Sequence, residues 1–291
     1  MIPAAFEYHT PRSLAEATEL LGKLGEDAKI LSGGQSLIPL MKLRLASPRH
    51  VVDINGIPGL AYVRESEGYL RIGALTRESD LENSEIVRTR YPLLHDTCAV
   101  IADPLVRNLA TIGGNIAHAD PANDHPAAML AYGAEVTAVG KRGERRIAVG
   151  SFFTGPFTTA LGGDEILTEI RIPVPPARSG GAYLKLERKV GDFATAAVAV
   201  QLTLDASGAC ERVGIGLTSV GLTSLKADRA EQVLRGKRLD EAAMKQAAQL
   251  AAEQSEPSAD LRGSVEYKRD MVRVLTARAL RKAAERAGLG R

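Results

Sequence analysis

Residues 111–115 read Thr111-Ile112-Gly113-Gly114-Asn115, and a second glycine pair, Ser32-Gly33-Gly34-Gln35-Ser36, begins 79 residues earlier in a similar polar setting. Glycine lets the backbone come close to a ligand and turn its N–H groups toward it, and short Ser, Thr and Asn side chains add further hydrogen-bonding groups. Either pair alone is typical of a tight turn. The two pairs together favour two turns whose backbone is not covered by side chains. Such turns would bind one phosphate-rich ligand, such as a pyrophosphate.

The length and charge of the chain limit the classes of function. At 291 residues the chain is long for a single hydrophobic core, which predicts two domains. The formal net charge is only +2, so the sequence predicts no nucleic-acid partner. No apolar run reaches the roughly 18 residues of a membrane span, and the N-terminus lacks the pattern of a secretory signal. We therefore expect a protein of the cytoplasm without a membrane span.

Several common catalytic and redox motifs are absent from the sequence. Cys98 and Cys210 are the only cysteines, so the chain cannot by itself supply four thiolates to an iron–sulfur cluster. The pair Gly214 and Gly216 lacks the third glycine of a dinucleotide fingerprint, and there is neither a P-loop nor a nucleophile elbow. The sequence therefore marks out no catalytic side chain.

Apolar periodicity and turn residues predict the elements of the first half of the chain. In order, they are a helix that begins after Ser13, a strand at 28–31, a helix at 37–45, strands at 50–54, 60–63 and 69–72, a mainly helical stretch at 79–109, a helix at 126–132, and paired strands at 135–139 and 145–149. The strand–helix–strand order before residue 56 is typical of a parallel sheet. The change of pattern near Gly56 predicts a second lobe.

A linker is predicted where prolines and glycines concentrate, at Pro173-Val174-Pro175-Pro176 and Ser179-Gly180-Gly181. We place the domain boundary after residue 176. Beyond it the pattern predicts three strands and two helices, at 182–188, 196–204, 212–219, 240–254 and 265–287. Such a domain is a sheet covered by helices on one face.

A cluster of His and Asp between the glycine pair and the helix at 126–132 has three interpretations. His118, Asp120, Asp124 and His125 could ligate a metal ion, because imidazole and carboxylate groups are common metal ligands. Alternatively the two Asp side chains cap turns and the two His lie at the surface or beside a ligand. In a third interpretation Asp124 accepts a hydrogen bond from a ribose hydroxyl. We expect no bound metal in this chain.

The two glycine segments resemble a known family. The stretches ILSGGQSLIPLMKLR (residues 30–44) and ATIGGNIA (residues 110–117) are similar to the FAD-binding medium subunit of molybdenum hydroxylases, the xanthine dehydrogenase family, and above all to the aerobic carbon monoxide dehydrogenase type. The resemblance covers nearly the whole chain. It implies an α+β fold with a two-lobed FAD domain of the vanillyl-alcohol oxidase and MurB-reductase type at residues 1–176, with lobes at about 1–55 and 56–176. It also implies a C-terminal medium-subunit domain at 177–291 with a three-stranded antiparallel sheet and helices.

The same resemblance implies the residues that contact FAD. The two glycine segments hold the diphosphate and adjoining groups, Asp124 is an acidic residue near the cofactor, and KVGDFAT (residues 189–195) approaches the flavin ring. For Phe193 packing in the core is the alternative. The implied cofactor-binding residues are Ser32, Gly33, Gly34, Gln35, Ser36, Leu37, Thr111, Ile112, Gly113, Gly114, Asn115, Asp124, Leu161, Lys185, Asp192 and Phe193.

The resemblance also implies a function and partners. The chain would pass electrons through FAD within a heterotrimer, assembled as a dimer of heterotrimers. A large subunit would carry the molybdopterin cofactor, and a small subunit would carry two [2Fe–2S] clusters. Carbon monoxide dehydrogenases commonly have His where this chain has Gln35, so carbon monoxide, an N-heterocycle or an aldehyde could be the substrate. The alternatives are a freestanding FAD oxidase or reductase, and a metal-dependent hydrolase that uses the His and Asp cluster.

Overall fold

The computed structural model describes residues 1–289 and begins with a small parallel sheet. Its strands, in the order β1-β3-β2, are β1 (Glu7–His9), β2 (Ala28–Leu31) and β3 (His50–Asp53), and its helices are α1 (Leu14–Leu24) and α2 (Leu37–Lys42). Strands β2 and β3 pair in parallel, which confirms the predicted strand–helix–strand unit. Sequence analysis missed β1, which has only three residues. Helix α2 ends earlier than predicted, since Arg44 adopts a positive φ of 59°.

The second lobe is built on a five-stranded antiparallel sheet ordered β4-β5-β10-β6-β7. Its strands, with the separate hairpin β8–β9, are β4 (Val63–Ser66), β5 (Tyr69–Gly73), β6 (Glu135–Gly140), β7 (Gly143–Ala148), β8 (Phe153–Gly155), β9 (Thr158–Thr159) and β10 (Ile166–Pro173). The central strand β10 was not predicted, because Glu169 and Arg171 interrupt its apolar pattern. Both are nevertheless buried, and Glu169 accepts hydrogen bonds from Tyr62 (2.5 Å) and Arg71 (2.7 Å).

Six helices belong to the same part of the chain and confirm that residues 79–109 are mainly helical. They are α3 (Glu78–Asn83), α4 (Glu85–Arg90), α5 (Pro92–Cys98), α6 (Pro104–Arg107), α7 (Ile112–His118) and α8 (Asp124–Tyr132). One expectation is wrong: Gly113 and Gly114 lie in the first turn of α7 and do not form a bare turn. The reason is that the side chain of Thr111 caps this helix by accepting from the N–H of Gly114.

The C-terminal part is an antiparallel sheet ordered β11-β12-β13-β14 with three helices. Its elements are β11 (Ser179–Leu186), β12 (Ala196–Leu204), β13 (Cys210–Thr218), β14 (Leu225–Lys226), α9 (Asp228–Leu234), α10 (Glu241–Gln254) and α11 (Val265–Arg286). The three long strands were predicted, whereas the two-residue β14 and the helix α9 were not. The whole chain is therefore of the α+β class. None of the helices in residues 1–289 has the length and apolar character needed to cross a bilayer.

The glycines after the proline-rich stretch have a role in packing. Gly180 and Gly181 belong to β11, so the prediction that they lie in a linker is wrong. A Cβ atom on Gly180 would lie 2.0 Å from the carbonyl oxygen of Ala283, since α11 crosses directly over the strand. Glycine is needed here to let two backbones approach. The division of the chain after residue 176 stays a prediction.

The two halves of the chain meet where α8 packs on β13. All nine residues of α8 are buried, and one core cluster combines its side chains with Tyr183, Ala197 and Ala199 from β11 and β12. A Cβ atom on Gly214 or Gly216 would lie 2.0 Å from a carbonyl oxygen of α8. Gly214 and Gly216 do not belong to a dinucleotide-binding motif; they let α8 pack directly on β13.

We predict that Gly216→Ala destabilises the protein. The new methyl group would overlap the carbonyl oxygen of Ala127, and overpacking of this kind typically costs about 1–3 kcal/mol of unfolding free energy. Urea unfolding of the purified chain measures the loss. The matched control is Gly56→Ala, where no atom lies within 4 Å of the added carbon; its expected effect is below about 0.5 kcal/mol. Equal midpoints for the two variants would contradict the packing role.

Candidate functional site

A cleft of about 750 Å³ brings the predicted site residues together. Fifteen of the sixteen line it: Ser32, Gly33, Gly34, Gln35, Ser36, Leu37, Thr111, Gly113, Gly114, Asn115, Asp124, Leu161, Lys185, Asp192 and Phe193. The exception is Ile112, the first residue of α7, whose side chain is fully buried in the core. We call this space the central cleft. Its residues come from both lobes and from β11 and the segment that follows it.

The first glycine segment offers backbone donors to the central cleft. Within residues 1–289, none of the backbone N–H groups of residues 33–37 donates a hydrogen bond. Gly34 has a φ of +75°, a conformation that L side chains rarely adopt. Unpaired N–H groups in such a turn form a concave donor surface that suits an anion. Residues 33–37 can therefore bind phosphate oxygens.

The second glycine segment has a different role, because the N–H groups of residues 112–115 are already paired. Those of Ile112 and Gly113 donate to the carbonyl oxygens of Thr76 and Ala74, and those of Gly114 and Asn115 donate to Thr111. A Cβ atom on Gly113 would lie 2.5 Å from that of Ala74, so this glycine permits close packing. Asn115 of this segment lines the central cleft, and its buried Oδ1 has no hydrogen-bond partner in residues 1–289.

A direct contact joins the two glycine segments. The hydroxyls of Ser32 and Thr111 lie 2.7 Å apart, and a Cβ atom on Gly33 would lie 2.4 Å from the carbonyl oxygen of Leu109. Asn55 strengthens this contact by donating to the carbonyl oxygen of Ser32 (2.7 Å). Arg77 in turn donates to Asn55 (2.8 Å) and to the carbonyl oxygen of Leu109. Asn55 and Arg77 were not predicted as site residues, since nothing in the sequence links them to the glycine segments.

A buried polar group lies at the inner end of the central cleft. Asp124 accepts from the hydroxyl of Tyr183 (2.7 Å) and from the ammonium group of Lys185 (3.0 Å), which also donates to the carbonyl oxygen of Val100 (3.0 Å). Burial raises the pKa of Asp124 above its usual range, although Lys185 and Tyr183 oppose the shift. Tyr183 was missed, but it lies two residues before Lys185 on β11, so both side chains point to the same face.

The segment after β11 also lines the central cleft. Asp192 accepts from Arg262 (2.9 Å) and Arg188 (3.1 Å), and these two guanidinium groups lower its pKa to about 2. Its other contact is the backbone N–H of Phe193 (2.8 Å). The alternative that Phe193 packs in the core is wrong, because 51% of the residue is exposed. Its ring is free to contact a ligand.

The His and Asp cluster does not assemble into a metal site in the described residues. Asp124 is engaged with β11, and the ring of His125 is bonded to Glu78 (2.7 Å) with both side chains fully buried. His118 lies against the ring of Phe157, with centroids 5.2 Å apart. Asp120 caps a turn, as one interpretation predicted, by accepting from the N–H of Ala122 (2.9 Å). The described residues therefore do not support the alternative that the chain is a metal-dependent hydrolase.

Comparison with known proteins identifies the family. Residues 4–175 match the model of the FAD binding domain in molybdopterin dehydrogenase, and residues 181–283 match that of the CO dehydrogenase flavoprotein C-terminal domain. The chain belongs to the family of FAD-binding subunits of molybdopterin dehydrogenases, and it is thus a flavoprotein subunit of an oxidoreductase complex. The predicted family, fold class and FAD cofactor are confirmed.

Individual relatives match the chain over nearly its whole length. The carbon monoxide dehydrogenase medium chain of Afipia carboxidovorans is 46% identical over 99% of both chains. Subunit alpha of the 6-hydroxypseudooxynicotine dehydrogenase complex of Paenarthrobacter nicotinovorans is 38% identical, covering 99% of this chain and 97% of its own. A solved structure of carbon monoxide dehydrogenase from Hydrogenophaga pseudoflava superposes with a TM-score of 0.96 at 48% identity, covering 98% of this chain and 99% of its own.

We predict that Thr111→Val destabilises the protein, because it removes both the cap of α7 and the partner of the Ser32 hydroxyl. Loss of a helix cap typically costs about 0.5–2 kcal/mol. Chemical unfolding followed by circular dichroism measures the change. The same substitution at Thr154, an exposed position on β8, is the control and should leave the midpoint unchanged. A Thr111→Val midpoint equal to that of the wild type would refute the capping role.

Proposed function

We propose that the central cleft binds FAD and that the chain is the electron-transfer subunit of a heterotrimeric molybdenum hydroxylase of the carbon monoxide dehydrogenase type. The observation that carries the proposal is the convergence of two distant glycine segments on one cleft, at the positions that the family resemblance assigns to the cofactor. In this proposal the cofactor-binding residues are the fifteen that line the cleft, and Ile112 acts only through packing.

The residues of the central cleft fit the chemistry of FAD. Its volume of about 750 Å³ falls within the range of cofactor sites, which is about 300–1,000 Å³. The unpaired N–H groups of residues 33–37 would donate to the diphosphate, and the unpaired Oδ1 of Asn115 would accept from a hydroxyl or an N–H group of the cofactor. Leu161 and Phe193 add apolar surface for a planar ring. Donors, an acceptor and apolar walls thus occur in one space.

The chain's own residues would bind and orient the cofactor. FAD, when bound, supplies the redox chemistry. Thr111 and Asn55 fix the loop of residues 32–36, so its donors are positioned before the diphosphate arrives. Asp124, Tyr183 and Lys185 place a buried hydrogen-bonded charge pair in the wall of the cleft, where it would tune the electrostatic environment of the cofactor.

Other chains would supply the remaining redox groups. Cys98 and Cys210 are both buried, and burial raises the pKa of each thiol, so neither is poised to ligate a cluster. We infer that a small subunit brings two [2Fe–2S] clusters and a large subunit brings the molybdopterin cofactor. Electrons would pass from the clusters to FAD and on to an external acceptor. The complex would be a dimer of heterotrimers in the cytoplasm.

The substrate would be selected by the large subunit. Relatives from enzymes as differently named as carbon monoxide dehydrogenase and 6-hydroxypseudooxynicotine dehydrogenase are similar in sequence to this chain over 99% of its length. A subunit that carries only electrons can stay similar while the substrate changes, so carbon monoxide, an N-heterocycle and an aldehyde all remain candidates. We propose residues 1–176 as the FAD domain, with lobes at about 1–55 and 56–176, and residues 177–291 as the C-terminal domain.

We predict that Gly114→Asp abolishes FAD binding. The added Cβ would lie 2.8 Å from the hydroxyl oxygen of Thr111 and 3.7 Å from the Cβ of Ser32, so the substitution would crowd the contact between the two glycine segments and add a carboxylate that repels a phosphate. The purified wild-type chain should show flavin absorption bands and release stoichiometric FAD, whereas the variant should be colourless. Gly150→Asp is the matched control, because Gly150 is exposed with no atom within 4 Å of the added carbon. Full FAD retention in Gly114→Asp would contradict the placement of the diphosphate.

A second prediction separates an electron-transfer subunit from a freestanding oxidase. The chain alone, loaded with FAD, should not reduce a dye with carbon monoxide, an N-heterocycle or an aldehyde, because the molybdopterin cofactor that would oxidise these substrates belongs to the proposed large subunit. Co-expression with a large and a small subunit encoded beside it should produce a complex that reduces the dye with one of these substrates. Turnover by the isolated chain would favour the freestanding enzyme instead.

A further inference from the structure

We propose that Glu7, His9 and His50 form a binding site for a single divalent transition-metal ion such as Zn²⁺. These three residues, which we call the β1–β3 cluster, lie outside the central cleft. The proposal departs from the sequence-based expectation that the chain binds no metal, and it does not depend on the proposed FAD role. Its basis is the way two paired strands bring three ligand atoms together.

Strand pairing places the three side chains on one face of the small parallel sheet. Glu7 is the pairing partner of His50, and His9 follows Glu7 by two residues on β1. Because side chains alternate along a strand, Glu7, His9 and His50 point to the same side, while Tyr8 points to the other. The hydroxyl of Tyr8 is bonded to Asp53 on that opposite face. The arrangement is therefore fixed by backbone register and does not rely on flexible loops.

The distances within the β1–β3 cluster match those between ligands of one ion. Nε2 of His9 and Nδ1 of His50 lie 3.2 Å apart, and Oε2 of Glu7 lies 3.4 Å from His50 and 3.9 Å from His9. Two nitrogen ligands at about 2.0–2.1 Å from a tetrahedral zinc ion are separated by about 3.3 Å. The side chain of Glu7 is 73% exposed, so it is free to close its longer distance. A fourth position would remain for water.

The environment of the cluster suits reversible binding from solution. The side chains of His9 and His50 are 23% and 19% exposed, so the sheet holds the rings in place while their nitrogen atoms remain reachable. The two rings share one hydrogen bond with each other. The carboxylate of Glu7 lies beyond good hydrogen-bond distance from both rings. An ion with two positive charges would engage all three groups and offset the negative charge of Glu7.

The second group of potential ligands, Glu78, Cys98 and His125, is a weaker candidate. All three residues are fully buried, so an ion has no entry path to them. The atoms joining His125 and Glu78 are also only 2.7 Å apart, the distance of a hydrogen bond. This group is better explained as a hydrogen-bonded pair beside a core cysteine. The β1–β3 cluster is therefore the one we assign to a metal.

Titration calorimetry with Zn²⁺ tests the proposal on the full chain prepared without a polyhistidine tag. We expect saturable binding of one Zn²⁺ per chain, with the stoichiometry checked by metal analysis after dialysis. His50→Ala and Glu7→Gln should each weaken binding by more than about tenfold, since even the loss of an outer-shell partner typically costs about 10–100-fold in affinity. Glu7→Gln changes an exposed side chain, so it tests the site even if the histidine variant folds poorly.

The control is His95→Ala, which removes a histidine of α5 that lies outside the cluster. It should bind Zn²⁺ with the affinity of the wild type, and circular dichroism should show the same fold for all variants. Absence of saturable binding to the wild type would overturn the proposal and leave the two rings as a hydrogen-bonded pair. Unchanged binding in both His50→Ala and Glu7→Gln would overturn it as well.

Discussion

The contact between the two glycine segments is the interaction on which the rest of the site depends. The hydroxyls of Ser32 and Thr111 meet at 2.7 Å, and Gly33 lies so close to the backbone of Leu109 that no side chain would fit. This contact joins the small parallel sheet to the antiparallel lobe and forms one wall of the central cleft. It also pairs the hydroxyl that caps α7 with Ser32, which directly precedes residues 33–37, whose N–H groups stay unpaired within residues 1–289. Residues 112–115 are therefore held by their own hydrogen bonds, whereas residues 33–37 present free backbone N–H donors.

A second close approach completes the site from the opposite side. The packing of α8 on β13, which requires glycine at 214 and 216, positions Asp124 at the start of α8 against Tyr183 and Lys185 of β11. A charge pair buried in this way is costly unless its geometry is good, because both groups lose their hydration. The C-terminal sheet is thus part of the wall of the central cleft, to which it contributes Lys185.

Much of this organisation could be predicted from the sequence, and the errors have physical reasons. The strand–helix–strand unit, the hairpin at 135–149 and the three long C-terminal strands follow from periodicity and turn residues. The strand β10 was missed because Glu169 and Arg171 are buried beside charged partners on other strands, Arg71 of β5 and Glu135 of β6. Gly113 and Gly180 were misjudged because a glycine that permits close packing looks the same in sequence as one that permits a turn.

The sequence by itself determined the family, the α+β class and the two segments that border the cleft, since short glycine-rich motifs carry their chemistry locally. Only the tertiary structure decided which of the two segments has free backbone donors, because hydrogen-bond pairing depends on partners such as Thr76 and Ala74 that are distant in sequence. It alone also brought Asn55 to Ser32 and His9 to His50. Such contacts arise from strand register and lobe packing, which a linear pattern does not encode.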